Sequence, residues 1–247
     1  TYNVFMDALE TGVFKKLVLS RSSTVKAPSD LSLYKTFQKL ALGHPDEFIF
    51  LCHTPESGTW MGCTPERMLT KAGEQWQTVA LAGTRKEDSE AGWDEKNKHE
   101  QLIVTEYLEE QLSSLGIAAK KGEVETIQAG HLLHLETVLT FDLPPIVSVG
   151  KLLDRLHPTP AVSGFPKKEA FRFIMHNELN DRRYYSGYLG CIDIKGSTDL
   201  YVNLRCMQLA HGQLRFHAGG GLLTTSEMLS EWEETEAKMD TLRSVIL

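Results

Sequence analysis

The sequence has 247 residues, of which 41% are hydrophobic and 24% are charged, a composition typical of a globular protein with one large core or two small ones. Its formal net charge of -7 argues against nucleic-acid binding, because an acidic surface repels phosphate backbones. A small anionic substrate would need a local basic pocket within this acidic surface.

The four cysteines form no CxxC pair, and each lies in an apolar, strand-like run. We therefore predict buried free thiols in a reducing compartment, and neither a disulfide framework nor a zinc site. These cysteines are Cys52, Cys63, Cys191 and Cys206. No apolar run approaches the roughly 18 residues that a membrane helix needs, and no signal peptide is recognisable. We expect a cytoplasmic protein that associates with neither membranes nor nucleic acids.

The first half of the chain is predicted to begin with a helix over 3–12, with Asn3 as its N-cap and Gly12 at its end. A strand over 16–21 and a helix over 31–42 follow. The next predicted elements are strands over 48–52, 59–63, 68–71 and 76–82 and a long helix over 94–113.

The second half is predicted to mix short helices with further strands. These elements are strands over 122–128 and 133–141, helices over 150–156 and 167–176, strands over 185–194, 199–209 and 213–218, and a helix over 226–245. Strands occur in groups and do not alternate strictly with helices. We therefore predict a single α+β domain over 1–247 with antiparallel sheet, and not a doubly wound fold.

The last predicted helix carries a group of charged residues. Steps of three and seven residues place Glu231, Glu234 and Lys238 on one face. Two carboxylates and an ammonium group can hold a hard cation and an anion beside it. A solvated acidic helix is the simpler interpretation of this segment taken alone.

The helix over 94–113 repeats this pattern at its start. Asn97 and Glu100 share a face at three-residue spacing. Magnesium usually takes one or two carboxylates, so one glutamate from each of two helices would suit it. Taken alone, this segment is also compatible with an ordinary charged helix start.

A triple glycine at 219–221 separates a predicted strand from the last predicted helix. Backbone N–H groups at a helix N-terminus bind carboxylate or phosphate well, although a flexible turn explains the glycines equally well. Upstream, strand alternation would place Tyr201, Asn203 and Arg205 on one face. An arginine there either clamps a carboxylate or forms a salt bridge.

Lys16 and Glu66 are candidates for acid–base chemistry. A desolvated lysine can act as a general base, and a carboxyl of raised pKa can act as a general acid. Most such residues are merely solvated, and spacing alone assigns neither role. His131 and His134 form an HxxH pair without a third ligand, which favours packing or a local hydrogen bond over a metal site.

Taken in order, these segments resemble the chorismate-utilising enzymes, which include isochorismate synthases, salicylate synthases and the synthase subunits for anthranilate and aminodeoxychorismate. The resemblance runs through nearly the whole chain. The matching segments are 16–21 (KLVLSR), 65–67 (PER), 81–85 (LAGTR), 96–100 (KNKHE), 134–137 (HLET), 157–166 (HPTPAVSGFP), 185–187 (YSG), Arg205, 219–221 (GGG) and 231–235 (EWEET) with Lys238.

The resemblance implies two large, mainly antiparallel sheets with helices outside, and a magnesium ion beside the substrate chorismate. Glu100 and Glu234 would be the metal ligands, with Glu231 nearby as a second or water-mediated partner. The implied substrate-binding residues are Gly83, Thr84, His134, Ala161, Tyr185, Arg205, Gly219, Gly220 and Lys238. Among them, Tyr185 and Arg205 would grip the enolpyruvyl carboxylate, and Lys238 with the backbone of Gly219 and Gly220 would hold the ring carboxylate.

The resemblance also implies the reaction. Glu66 would protonate the departing C4 hydroxyl of chorismate while Lys16 removes a proton from water attacking C2. Lys16 and Ala82 resemble the members that use water, so we expect isochorismate and no glutaminase partner. Ala161 favours stopping at isochorismate over continuing to salicylate. Salicylate synthase and the amine-forming synthases remain the alternatives.

Two departures from the family pattern bear on activity. Asn97 stands where some relatives have a carboxylate, which would alter metal affinity. Relatives also carry a strand-rich segment before the match, and this chain begins with Thr1. We therefore expect the chain to be N-terminally truncated, with sheet edges exposed.

Overall fold

Two six-stranded sheets, in which all described strand pairs are antiparallel, organise the computed structural model, which describes residues 1–87, 92–193 and 196–246. The predicted α+β class with two antiparallel sheets is confirmed. Residue 194, the predicted end of one strand, lies outside the described residues. No helix in the described ranges combines the length and apolarity needed to cross a bilayer.

The strands are numbered in chain order. They are β1 (Lys16–Lys26), β2 (Phe48–Thr54), β3 (Gly58–Thr64), β4 (Arg67–Ala72), β5 (Gln75–Lys86), β6 (Lys120–Ala129), β7 (Leu132–Phe141), β8 (Gly164–Phe165), β9 (Tyr188–Ile192), β10 (Thr198–Val202), β11 (Cys206–Ala210) and β12 (Gln213–Leu222). The first sheet has the order β2-β3-β11-β12-β1-β8, and the second has the order β6-β7-β5-β4-β10-β9.

Six helices cover the sheets. They are α1 (Tyr2–Glu10), α2 (Leu33–Gly43), α3 (Glu95–Ser114), α4 (Val149–Leu156), α5 (Lys167–Asn177) and α6 (Met228–Ile246). Apolar side chains of α3 and α4 pack on the second sheet. Those of α2 and α6 pack on the first sheet, and those of α1 and α5 pack against β1 and the end of β12. Asp94 caps α3 by accepting a hydrogen bond from the Asn97 N–H, which fixes where this long helix begins.

Two of the passages of the chain between the sheets contact each other. One passage, 64–67, joins β3 to β4, and the other, 203–205, joins β10 to β11. The Thr64 hydroxyl donates to the Val202 carbonyl over 2.7 Å, and the Val202 N–H donates to the Glu66 carbonyl over 2.9 Å. These bonds hold Glu66 and Arg205 at one place between the sheets.

The predicted strand over 199–209 is wrong, because the chain leaves the second sheet after Val202 and enters the first at Cys206. Arg205 has a φ of 43°, a left-handed conformation that ends regular strand geometry and that non-glycine residues rarely adopt. Strand alternation therefore does not set the direction of Arg205. The predicted strand start at 185 is also too early, since β9 begins at Tyr188.

The prediction that the triple glycine forms a turn before a helix is wrong as well. All three glycines lie inside β12, where Gly219 pairs with Ser20, Gly220 with Leu19 and Gly221 with Val18. The strand continues through the glycines because a glycine lacks a side chain but keeps the backbone hydrogen bonds of the ladder. The helix begins only at Met228.

Two smaller predictions also need correction. The first helix has Thr1 as its N-cap residue, in place of Asn3, and ends at Glu10 before Gly12. All four cysteines are free, but Cys52 and Cys191 are exposed and only the other two are buried. Both exposed thiols lie in strands that face solvent on at least one side. The alternation of residues in the sequence does not show which face of such a strand is buried.

The core of the second sheet should govern global stability. Leu69 in β4 is fully buried among apolar side chains, and Leu42 in α2 is 86% exposed. We expect Leu69→Ala to lower the free energy of unfolding by about 2–5 kcal/mol through the cavity that it leaves. The matched Leu42→Ala should change it by less than about 0.5 kcal/mol. Urea denaturation measures both, and equal effects would contradict this packing.

Candidate active site

A pocket between the two sheets collects most of the predicted site residues. Strands β1 and β12 of the first sheet, strands β5 and β7 of the second, and helices α3 and α6 all contribute to its wall. The predicted residues that line it are Glu66, Gly83, Thr84, Glu100, His134, Ala161, Tyr185, Arg205, Gly219 and Lys238. Residues far apart in sequence therefore meet at one concave surface, which is the usual form of a small-molecule site.

Lys16 and Glu100 form a buried ion pair at one end of this pocket. The Lys16 side chain is fully buried at the start of β1, and its Nζ lies 2.7 Å from Glu100 Oε1. Burial works to raise the pKa of Glu100, but the ammonium groups of Lys16 and Lys96 hold it below its ordinary value. Glu100 is therefore an ionised partner for the buried ammonium group.

The glycines of β12 make room for these charges. A Cβ built on Gly221 would overlap Glu100 Oε1 and would lie 2.7 Å from Lys16 Cε. A Cβ on Gly219 would lie 2.8 Å from the Tyr185 hydroxyl oxygen. Both positions face the pocket, so the strand contributes backbone only where the polar side chains approach it.

Glu66 lies in the first passage between the sheets and is 4% exposed. Burial raises its pKa to about 7, although the positive charges of Lys16 and Lys238 act in the opposite direction. At neutral pH this carboxyl group is therefore partly protonated and can donate a proton. Lys16 and Glu66 lie close enough to interact electrostatically, as the acid–base prediction requires.

Three carboxylates converge on Lys96, which sequence reasoning did not single out. Lys96 Nζ forms an ion pair with Glu231 Oε1, and the negative charges of Glu231, Glu100 and Glu234 raise the pKa of Lys96 against the opposing effect of burial. Burial and then the charge of Glu234 raise the pKa of Glu231.

Glu231 also retains a buried Oε2 atom without a hydrogen-bond partner. A cluster of carboxylates with unsatisfied oxygen is chemically suited to a hard divalent cation. Lys238 bridges this cluster to the pocket, because its Nζ lies 2.6 Å from Glu234 Oε1 and donates to the Gly219 carbonyl over 3.1 Å. The donor set present thus fits a magnesium ion.

Gly220 does not line the pocket, because adjacent residues of a strand point to opposite faces. A Cβ on Gly220 would lie 3.0 Å from Glu231 Oε2 and 3.9 Å from Glu234 Oε1. Two glutamates therefore approach Gly220 on the face of β12 that points away from the pocket, and the role of the Gly220 backbone in holding a substrate carboxylate stays a prediction. Gly219 does line the pocket, but its carbonyl accepts from Lys238.

Arg205 and His134 form the opposite end of the pocket. The His134 Nδ1 atom lies 2.9 Å from the Gly83 carbonyl oxygen, which can only accept, so Nδ1 carries the proton. His134 Nε2 then accepts from Arg205 Nη2 over 2.6 Å. Burial and the charge of Arg205 lower the pKa of His134 well below its ordinary value, so this histidine is neutral. The predicted local hydrogen bond for His134 is confirmed.

A buried carboxylate that sequence reasoning missed lies behind Arg205. Glu47 Oε2 is 3.7 Å from Arg205 Nη1, and both side chains are 4% exposed. Burial works to raise the pKa of Glu47, but His44, Arg205 and Cys63 together lower it. A carboxylate just before an apolar strand carries no motif, so only the tertiary contact identifies it.

Asn97 has a structural role in α3. Its Oδ1 accepts from the Thr84 N–H over 3.0 Å, and its Nδ2 donates to Asp94 over 2.9 Å. Gly83 has a φ of +73°, and a Cβ there would lie 3.3 Å from Asn97. Asn97 thus fixes the irregular end of β5 that presents Gly83 and Thr84 to the pocket.

Comparison with known proteins places this chain in a family. The family model described as "chorismate binding enzyme" matches residues 3–247. This chain belongs to the chorismate binding enzyme family. The family predicted from the sequence is therefore confirmed.

Two similar proteins show how much of each relative's length this chain covers. The isochorismate synthase EntC of Escherichia coli strain K12 is 32% identical over 93% of this chain and 62% of its own length. The structure of a 2,3-dihydroxybenzoate-specific isochorismate synthase from Bacillus anthracis superposes with a TM-score of 0.89 at 29% identity, covering 98% of this chain and 69% of that chain.

A third structure shares the fold alone. Anthranilate synthase component I from Streptococcus pneumoniae superposes with a TM-score of 0.82 at 22% identity, covering 97% of this chain and 55% of that chain. The chain thus spans about 62% of the EntC relative, and it shares its fold with a protein named for a different activity.

The close approach of side chains to the β12 glycines Gly219–Gly221 can be tested by adding one methyl group. Gly221→Ala should destabilise the fold by about 1–3 kcal/mol, because the new Cβ displaces the buried Lys16–Glu100 pair. Gly43→Ala is the matched control, since no atom lies within 4 Å of its Cβ position at the end of α2. Thermal unfolding of both variants measures the difference, and equal stability would refute the close approach.

The raised pKa of Glu66 predicts a pH-dependent stability. Between the ordinary value of 4.5 and about 7, the folded state keeps a proton that the unfolded state loses, so stability falls as pH rises through this window. As the pH rises from 5 to 8, we expect the free energy of unfolding of Glu66→Gln to increase by about 3 kcal/mol relative to that of the parent protein.

The control for Glu66→Gln is Glu74→Gln, at an exposed residue between β4 and β5. Its stability relative to the parent protein should stay constant between the two pH values. Urea denaturation at both pH values gives the four free energies. A constant difference for Glu66→Gln would contradict the raised pKa.

Proposed function

We propose that this chain binds chorismate and, with Mg²⁺, converts it to isochorismate. The observation that carries the proposal is a carboxyl group of pKa about 7, Glu66, that lines the pocket, together with the buried Lys16, which is paired with Glu100 of the same lining. Such a pair supplies a base and an acid to the same bound molecule. The isochorismate synthase relatives described above support this choice of reaction.

The proposed substrate is a dianion, and the pocket offers a cationic group at each end. Arg205 and the Tyr185 hydroxyl would hold the enolpyruvyl carboxylate, and Lys238 would hold the ring carboxylate. His134 orients Arg205 through its bond to Nη2. An acidic protein can thus bind an anion, because its positive groups are concentrated where the substrate lies.

In the proposed reaction, Glu66 gives its proton to the C4 hydroxyl, which leaves as water. Lys16 pairs with Glu100 as an ammonium group in this structure, so the reaction requires that it first release a proton to water. The resulting amine takes a proton from a second water molecule as that oxygen bonds to C2. The ring double bonds shift between the two carbons, so the net change is the movement of one hydroxyl group. Lys16 ends protonated and Glu66 ionised, and transfer of one proton restores both to their reactive forms.

Glu100, Glu231 and Glu234 would hold the magnesium ion. When bound, the ion supplies positive charge beside the ring carboxylate and stabilises the charge that develops on the ring. Lys96 lies among these carboxylates and balances part of their charge when it pairs with Glu231.

Product analysis tests the reaction class. The chain is incubated with chorismate and Mg²⁺, and products are separated by liquid chromatography and identified by NMR. Isochorismate as the sole product is the expected result. Fluorescent salicylate would indicate the pyruvate-eliminating alternative, and a product that requires ammonia would indicate an amine-forming synthase. Unchanged chorismate would contradict the proposed activity.

Adjacent residues provide matched controls for the individual roles. Lys16→Ala should lower kcat at least 100-fold and leave chorismate binding largely intact, because removal of the base affects the chemical step. Glu234→Gln should abolish Mg²⁺-dependent turnover through loss of a carboxylate ligand. Steady-state kinetics and calorimetric binding measure these effects.

The controls for these two variants are Lys15→Ala and Glu233→Gln, because both side chains are exposed beside the buried or half-buried residue under test. Both control variants should keep parental turnover. Parental turnover in Lys16→Ala or in Glu234→Gln would refute the role assigned to that residue.

A further inference from the structure

A second group of potential metal ligands lies behind the arginine end of the pocket. His44 Nδ1, a Glu47 carboxylate oxygen and Cys63 Sγ all lie within 4.8 Å of one another. None of these residues belongs to the proposed magnesium cluster or to the lining of the substrate pocket. The proposed reaction therefore makes no use of this combination of side chains.

The spacing of these atoms is close to that of a tetrahedral site. His44 Nδ1 lies 2.9 Å from Glu47 Oε1, and Cys63 Sγ lies 3.1 Å from Glu47 Oε2. Ligand atoms around zinc are separated by about 3.3–3.8 Å, given bonds of about 2.0–2.3 Å.

The backbone fixes the three residues near one another. His44 is the C-cap residue of α2, and its N–H bonds to the Leu40 carbonyl. Glu47 immediately precedes β2, and Cys63 lies in β3, opposite Ile49 in the β2–β3 ladder. Short connections between paired elements leave little entropy to lose on binding an ion.

The donor types select the class of metal. Thiolate and imidazole together favour zinc and similar late divalent ions over magnesium, which prefers oxygen ligands and retains its waters. Arg205, 3.7 Å from Glu47, repels any cation here. A metal–thiolate bond can overcome that repulsion, and the weaker magnesium–carboxylate contact offers much less.

An ion can reach the site from solvent through His44. The His44 side chain is 14% exposed and lines a surface cavity, while Cys63 is fully buried behind it. Glu87, His131 and Asp240 line the same cavity. The cavity also contains Lys86, so its lining carries two carboxylates and one ammonium group, and water in the cavity can fill a fourth coordination position.

We propose that His44, Glu47 and Cys63 bind a thiophilic divalent cation of the zinc type. Binding breaks the S–H bond of Cys63 and forms a metal–sulfur bond, and the released proton passes to water. His44 binds through Nδ1 after the proton on that nitrogen has passed to water and another has been taken up at Nε2, and Glu47 binds through a carboxylate oxygen. The ion thereby replaces the two hydrogen bonds that Glu47 now accepts from His44 and Cys63.

Occupancy of this site would reach the substrate pocket through Glu47. The carboxylate that binds the ion is the same one that lies beside Arg205, and Arg205 in turn donates to His134. A cation on Glu47 withdraws the negative charge that balances the guanidinium group. Resting on the proposed function, zinc at this site therefore leaves Arg205 less neutralised and strengthens its attraction for the enolpyruvyl carboxylate.

Cobalt(II) is the probe for binding, because a cobalt–thiolate bond produces a charge-transfer absorption that carboxylate sites lack. The exposed thiols are first removed with Cys52→Ser and Cys191→Ser, and this parent is titrated with Co²⁺ in saturating Mg²⁺ without substrate. We expect one equivalent to produce the band. Adding Cys63→Ser should abolish it, and adding His44→Gln should weaken Co²⁺ binding at least 10-fold.

Circular dichroism confirms that each variant is folded, and the partly exposed His44 gives a second test if Cys63→Ser unfolds. No band in the parent would show that the three residues form a hydrogen-bonded cluster only, and would overturn the proposal. A band that survives both Cys63→Ser and His44→Gln would also overturn it. Neither result depends on chorismate conversion, so failure of the proposed function is recognised separately.

Enzyme kinetics test the connection to the substrate pocket. In the parent, one equivalent of Zn²⁺ should lower KM for chorismate at least 5-fold at saturating Mg²⁺ with a smaller effect on kcat. The Cys63→Ser variant, compared with its own zinc-free state, should show no such fall. Binding without a change in KM would refute the coupling through Glu47.

Discussion

A buried positive charge at Lys16 is the constraint on which the arrangement of the site depends. Removing a charged group from water costs several kcal/mol unless an opposite charge accompanies it. The partner, Glu100, comes from the first turns of α3 and reaches Lys16 across β12 at Gly221, where no side chain intervenes. The β1–β12 pairing, the position of α3 and the glycine at 221 are therefore all needed to pair the buried charge of Lys16.

The passages 64–67 and 203–205 meet a second requirement. Each sheet alone would present its polar residues to one face, whereas the proposed substrate pocket needs groups from both. Glu66 and Arg205 lie in these passages, and Val202 holds the passages together by accepting from the Thr64 hydroxyl at its carbonyl and donating its N–H to the Glu66 carbonyl. The left-handed backbone at Arg205 is a local strain that this cross-linking maintains.

Charge balance links the metal cluster, the substrate pocket and the second ligand group. Lys96 and Lys238 offset the glutamates of α3 and α6, and Glu47 offsets Arg205. Lys96 pairs with Glu231 and Arg205 pairs with Glu47 across long stretches of sequence, whereas Lys238 and Glu234 lie four residues apart on α6. In the proposed function, an entering cation or anion replaces one of these partners, which would reconcile a net charge of -7 with the binding of an anion beside a metal ion.

Taken alone, the sequence determined the α+β class, the family and the identity of most residues at the pocket, because rare strings such as HPTPAVSGFP and GGG occur in order along the chain. It did not determine the backbone at Arg205 or the strand pairing of the triple glycine. Local patterns favour a continuous strand in the first case and a turn in the second, and only the ladder partners in β1, β3 and β12 decide otherwise. Glu47 and Lys96 carry no motif, since their roles arise from the charges that the fold brings within a few ångströms of them.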